Sequence, residues 1–379
     1  MVRLGDVAPA KPIKLKGYSP FDKIWHVTLD QIESNTGYLF EKSIKLLSEA
    51  GSSTHAFDDR HVLYSKLRPY LNKVLLPDQT GLGTTELVPM LPDANKLDRI
   101  YLAHYLKSKF FVNWISNQTA GAKMPRVTMH TFWNHEIPLP PLPEQKRIAA
   151  ILDQADEIRR DRELAIAKLD QLAQSIFVEM FGDPVINDKN WQILRLGDVG
   201  KLDRGISKHR PRNAPELLGG TYPLVQTGEV ANCNGYIRNH KASYSEIGLR
   251  QSRIWPTGTL CITIAANIAK TGILTFDACF PDSIVGFCAE NVATIQYVRV
   301  WLSFLQKTLE DNAPESAQKN INLAILRELP IPFPPIELQE KFASRIKAVE
   351  QLKVDNNTAL AKHSTLFASL QHSAFTGQL

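Results

Sequence analysis

The residues of this chain that come nearest to doing chemistry each miss the pattern that the chemistry needs. Lys270-Thr271 has the ending of a phosphate-cradling loop. Ile264 and Ala269, however, stand where that loop requires the glycines that let backbone amides wrap a phosphate. Gly81-Leu82-Gly83 runs into Glu86 where a dinucleotide loop has its third glycine. Glu144-Gln145-Lys146 has the Glu-x-Lys spacing of metal-dependent nucleases, but it opens a long helical stretch and lacks an acidic partner. A glutamate complementing a helix dipole accounts for it better. The Asn/Asp-Pro-Pro-Tyr/Phe motif with which amino-methyltransferases cradle a base is absent, as are G-x-S-x-G and H-E-x-x-H. Cys233, Cys261, Cys279 and Cys288 contain no C-x-x-C pair, which points to small buried hydrophobes rather than to zinc. The expectation is a non-catalytic chain with no metal and no cofactor of its own. An unrecognised nuclease or methyltransferase is the alternative.

Charge and composition set looser bounds. A net charge of +5 is compatible with a nucleic-acid partner but does not require one. A hydrophobic content of 44% over 379 residues supports two or three domains with their own cores. No apolar run suggests a membrane span, and the start Met1-Val2-Arg3-Leu4-Gly5-Asp6 lacks the apolar stretch of a signal peptide, so a cytoplasmic protein is expected.

The elements that must hold any site come in duplicate. Ile137-Pro138-Leu139-Pro140-Pro141-Leu142 returns as Ile331-Pro332-Phe333-Pro334-Pro335-Ile336, a shift of 194. The shift persists from Gln145/Gln339 to Phe181/Phe375, and Leu4-Gly5-Asp6-Val7 returns as Leu196-Gly197-Asp198-Val199. After each Pro-rich exit comes a stretch without Gly or Pro, about 37 residues that would span roughly 55 Å as helix. Gly182 and Pro184 stop the first. Heptad positions place Ile148, Ile151, Ile158, Leu169, Leu172 and Ile176 on one seam and Phe342, Val349, Leu352, Leu366 and Leu370 on the other. Arg162, Asn356 and His363 interrupt them, as edge positions or as polar contacts that fix register. A lone amphipathic helix must bury its stripe, and its duplicate is the natural partner. The expected fold is α+β, with two globular α/β domains separated by a pair of long antiparallel coiled-coil helices. The arrangement is pseudo-two-fold and nearly circular, with Leu379 close to Met1. Its segments are 1–140, 141–182, 183–335 and 336–379. Within the globular segments we expect strands at His61–Tyr64, Leu260–Ile264 and Ser283–Phe287, a turn at Gly81–Gly83, and helices near Arg99–Asn117 and Val298–Leu309.

Several of these segments resemble a known family. Pro138-Leu-Pro-Pro-Leu-Pro-Glu-Gln-Lys-Arg-Ile148, the helix after it and Ser175-Ile-Phe-Val-Glu-Met-Phe-Gly-Asp-Pro184 resemble the specificity subunit of type I restriction-modification enzymes. So does Leu63-Tyr-Ser-Lys-Leu-Arg-Pro-Tyr-Leu-Asn-Lys73, which looks like the strand-and-loop motif of that family's target recognition domains. Ala265-Ala-Asn-Ile-Ala-Lys-Thr-Gly-Ile-Leu274 and Gln318-Lys-Asn-Ile321 resemble their second-half counterparts. The resemblance implies that residues 1–140 and 183–335 are target recognition domains, each reading half of a split double-stranded DNA sequence, with the helices as spacer. It also implies two docked modification subunits, which hold S-adenosylmethionine and methylate adenine, and further restriction (motor-nuclease) subunits. The specificity subunit itself would be an adaptor.

On that reading the candidate DNA-binding residues are loop cations and amides. In the first half they are Lys66 and Arg68, stiffened by Pro69, and Lys123 and Arg126. In the second they are Lys208, His209, Arg210 and Arg212, then Gln226, Thr227, Asn267, Lys270, Lys319 and Asn320. Arg and Lys can hold phosphates or guanine edges, and Asn and Gln can pair bidentately with adenine. The alternatives are solvated loop cations, or arginines that anchor a loop through a carboxylate.

Overall fold

The computed structural model describes residues 1–51, 53–121, 124–265, 268–311 and 321–379. The chain divides into two compact units, one made of Met1–Leu164 with Asn357–Leu379 and the other of Ala165–Asn356. The long helices run over Leu142–Phe181 and Ile336–Thr376, so each unit takes in half of each. Gly182 ends the first helix as expected. It adopts φ +78°, its amide donates to the Val178 carbonyl, and a Cβ there would strike the Asp188 carboxylate. No helix among the described residues is long and apolar enough to cross a membrane.

In the first unit a sheet of four strands (Ser43–Leu46, Lys23–Val27, Gly81–Thr84 and Thr54–Phe57, in that order) lies beside one of three (Val74–Leu75, Val62–Ser65 and Leu87–Met90). The expected turn at Gly81–Gly83 is therefore a strand. Gly81 is required because a Cβ would meet the Phe57 ring and the Trp25 carbonyl. The expected helix Arg99–Asn117 is two helices, Arg99–Lys107 and Lys109–Ser116. Extended Ser108 interrupts it, and its hydroxyl caps the second by accepting from the Phe111 amide. Phe110, which one continuous helix would set on the same face as Leu106 and Trp114, is 65% exposed. The second unit has a five-stranded sheet ordered Lys201–Arg204, Ile284–Cys288, Leu260–Thr263, Thr271–Leu274 and Gly235–Ile237. The helix Val292–Asp311 packs beside it, with Tyr297, Val298, Trp301 and Leu302 buried in the same core.

The sequence repeat is a repeat of backbone geometry. Val2–Arg3 pairs with Glu136–Ile137, and Gln192–Arg195 pairs with Pro330–Phe333. The Leu4 amide donates to the His135 carbonyl (2.8 Å), and in the second unit the Leu196 amide donates to the Leu329 carbonyl (2.9 Å). Gly5 and Gly197 let the short helices Leu4–Val7 and Leu196–Val199 press against Trp133 and Arg327, where a Cβ would come within 3.1 and 3.2 Å.

The heptad expectation needs correction. Ile148, Phe342 and Val349 are buried, and Ile151, Leu169, Ile176 and Leu370 are half-buried. Ile158, Leu172, Leu352 and Leu366 remain 42%, 43%, 51% and 54% exposed, and nothing between Glu157 and Ile176 or between Val354 and Leu370 is buried. Burial follows Gln145, Ala149, Leu152 and Asp156 on one helix and Gln339, Phe342, Ile346, Val349 and Lys353 on the other. The helix ends bury against the core of their own unit, and that contact, rather than a heptad seam, sets which positions are covered. Within each unit the two helical segments are antiparallel. Arg147 donates to the Leu379 carbonyl and Arg159 lies over Phe367, while Phe177 meets Phe342 and Asp170 pairs with Lys353. Val2 and Leu379 pack on one core, as the circular reading expects.

Candidate nucleic-acid interface

In the first unit the candidate site grows from the turn between Val62–Ser65 and Val74–Leu75. The Ser65 amide donates to the Lys73 carbonyl (3.1 Å), closing a loop that contains Lys66 and Arg68. The loop is clasped by two neighbours. The Lys66 amide donates to Glu86 (3.0 Å), its carbonyl accepts from Val127 (2.9 Å), and the Arg68 amide donates to Pro125 (2.8 Å). These bonds bring Lys66, Arg68 and Arg126 into one neighbourhood although they are 60 positions apart at most. Arg68 sits at φ +49°, a conformation costly for a non-glycine residue, and buried Pro69 opens a 3₁₀ turn directly after it. Lys66 is half-buried and Arg68 exposed. Arg126 makes a forked pair with Glu86 (Nη2–Oε1 3.0 Å), so it is held by a carboxylate, and the bond keeps its guanidinium firmly charged.

The second unit builds the same clasp from different side chains. The Thr263 amide donates to the Lys270 carbonyl (2.9 Å), the Ile264 amide to Ser283 (3.0 Å) and the Ile321 amide to Ile264 (3.0 Å). Each bond repeats one at Ser65–Lys73, Lys66–Glu86 or Val127–Lys66. Asn72 and Ala269, each immediately before the closing lysine, share φ near +50° (51° and 57°). The Lys-Thr pair at 270–271 thus closes a β-hairpin, with no helix after it to hold a phosphate.

Around this clasp the basic loop is well anchored. The Lys208 and His209 amides donate to Gln251 Oε1 (2.6 and 3.1 Å). Arg212 Nη2 and Arg210 Nη2 reach the Asp282 carboxylate (2.5 and 3.4 Å), and Arg204 Nε donates to the Asp282 carbonyl (2.8 Å). Arg212, Gln226 and Thr227 line one cavity of about 250 Å³ with Ser207, Tyr244 and Ser283. Gln226 is also the cap of the short helix Thr227–Ala231, in a reciprocal box with Glu229, so one half of the amide that adenine pairing would use is taken. Lys123, Asn267, Lys319 and Asn320 lie outside the described residues. Glu86, Arg204 and Asp282 were missed by the sequence reading. A lone carboxylate beside a strand carries no local signal, and Arg204 ends a strand 78 positions from its partner.

In each unit a buried glutamine ties the start of a long helix to the globular part. Gln145 accepts from the Asp98 amide (2.8 Å) and donates to the Lys96 and Pro140 carbonyls. Its repeat Gln339 accepts from Thr294 Oγ1 (2.8 Å) and donates to Pro334. The Pro-rich exits are thus locked to the helices that follow them. Glu144 pairs with Arg147 (2.7 Å) at the helix start.

The model of the type I restriction modification DNA specificity domain matches residues 72–168 and 188–363. The chain is similar to the type I restriction enzyme EcoDI specificity subunit of Escherichia coli, 30% identical over 172 residues, covering 44% of this chain and 38% of that protein. It is also similar to a putative type I restriction enzyme MjaX specificity subunit of Methanocaldococcus jannaschii, 23% identical over 282 residues, 70% and 64% of the two chains. The matches thus span under two thirds of these relatives' lengths. Among solved structures, the S subunit of a type I restriction-modification system from M. genitalium aligns with TM-score 0.60 at 14% identity, over 99% of this chain and 95% of that one, a likeness of fold. With the family model matched over most of both units, the chain belongs to the type I restriction modification DNA specificity domain family.

Proposed function

We propose that this chain is the sequence-reading adaptor of a type I restriction-modification complex in the cytoplasm, the first unit reading one half of a split duplex sequence and the second unit the other. The observation that carries it is the repeated clasp with unlike side chains. Three of the backbone bonds recur, while the cations and amides around them differ, Lys66, Arg68 and Arg126 in one unit and Arg210, Arg212, Gln226 and Lys270 in the other. A constant frame with variable tips is what two readers of different half-sites require, with phosphate contacts positioning and a few base contacts specifying. Adenine methylation with S-adenosylmethionine belongs to two modification subunits recruited by this chain, and cleavage to restriction subunits. The test is a genome-wide map of N6-methyladenine in the native host with and without this gene. Loss of one split motif supports the reading. An unchanged map, in a host where the partner modification subunit is expressed and co-purifies, rejects it.

A further inference from the structure

Two carboxylates, each just ahead of a counterpart strand in its unit and one residue out of register with each other, are spent on arginines of the reading loops. Glu86 directly precedes the strand Leu87–Met90, and Asp282 lies two residues before Ile284–Cys288. These strands are counterparts, since each pairs antiparallel with the strand that leads into its clasp, and the clasp bonds from Lys66 and Ile264 land on Glu86 and Ser283. Glu86 takes Arg126 in a forked pair, and Asp282 takes Arg210 and Arg212. Neither carboxylate is needed to hold its loop, because the loop backbones are already fixed through Pro125, Lys66, Gln251 and the carbonyls that Arg210 itself reaches. Nor do the pairs add much stability. Arg126, Arg210 and Arg212 are 49%, 55% and 46% exposed, and pairs that open to water are worth little.

We propose that Glu86 and Asp282 are phosphate surrogates. Each occupies guanidinium groups in the absence of DNA and surrenders them only where the fit of a half-site brings a phosphate or guanine edge to the same guanidinium groups. A carboxylate and a phosphate present the same bidentate acceptor geometry to arginine, so the exchange conserves hydrogen bonds. On random DNA the surrogate competes, non-specific affinity is held down, and the ratio between right and wrong sequence rises. The inference rests on the DNA-reading function proposed above.

The experiment uses the full chain, an unselected 40-bp duplex pool and sequencing of the bound fraction. E86Q and D282N each free cations and are expected to tighten binding to the unselected pool by about five- to tenfold near 0.1 M salt. The log–log salt dependence should steepen by about one. The enriched motif should blur in one half with E86Q and in the other half with D282N. Glu86→Asp and Asp282→Glu keep the charge and should leave pool affinity near wild type, which separates the effect from misfolding. Unchanged affinity and motif in E86Q and D282N, or weaker binding to every duplex, overturns the surrogate role. A wild-type chain that enriches no sequence overturns the DNA reading itself, and the inference with it.

Discussion

Breaking the buried ion pair that ties the second unit to its long helix is the most informative perturbation of the fold. Arg299 and Glu350 meet at 3.0 Å with side chains 10% and 8% exposed. At that separation the gross attraction is roughly 5 kcal/mol for an effective dielectric near 20. Desolvation offsets much of this, so the pair as a whole contributes little net. Removing one partner is different, because it strands a buried charge and typically costs about 3–5 kcal/mol. Here the Arg299 Nε bond to Gln296 survives and Lys353 keeps Asp170, which places E350A at the lower end, about 3 kcal/mol. The double variant R299M/E350M removes both charges and should recover most of the loss. Urea unfolding followed by tryptophan fluorescence, with fully buried Trp301 on the same helix as Arg299, reads the transition of this unit. A loss below about 1 kcal/mol in E350A, or a double variant no better than the single, would refute the reasoning that a buried uncompensated charge is what matters.

Other expectations are as concrete. Gln145→Leu removes the acceptor of the Asp98 amide and the donor to two carbonyls in a buried site, and should cost the first unit about 2–3 kcal/mol in denaturant unfolding. A cost near zero would mean those groups find other partners. His135 is packed on Trp114 and bonded to the Tyr105 hydroxyl, and burial lowers its pKa to about 4. Its neutral form is favoured in the folded state. The stability it lends is therefore full above pH 6.5 and is lost as pH falls from there towards 4, by roughly 1–2 kcal/mol once its partial exposure is allowed for. His135→Gln should flatten that part of the stability profile, and an equal acid loss in the variant would point elsewhere. Lys66→Ala with Arg68→Ala should lower DNA affinity and reduce the salt slope by up to about two, with the melting temperature unchanged. Equal affinity at two salt concentrations would remove both from the interface.

The sequence alone determined the duplication, the two long helices with the stop of the first, and the family. A repeat is carried by spacing, a long helix by composition, and a helix end by Gly182, all of them local signals. It also placed Lys66, Arg68 and the run from Lys208 to Arg212 in loops, the first because Pro69 punctuates it. Tertiary structure decided what those loops do with their charges. That Arg126 faces Glu86, that Arg210 and Arg212 share Asp282, and that Gln226 is a cap are facts about partners brought together across 40, 72 and 70 positions and by a helix start. The heptad stripe failed for the same reason. A period of 3.5 says which face of a helix is apolar on average. What buries each turn is the surface it meets, here a domain core that accepts Gln145 and Gln339 because each has a partner waiting there, and a facing helix whose Asp170 pairs with Lys353.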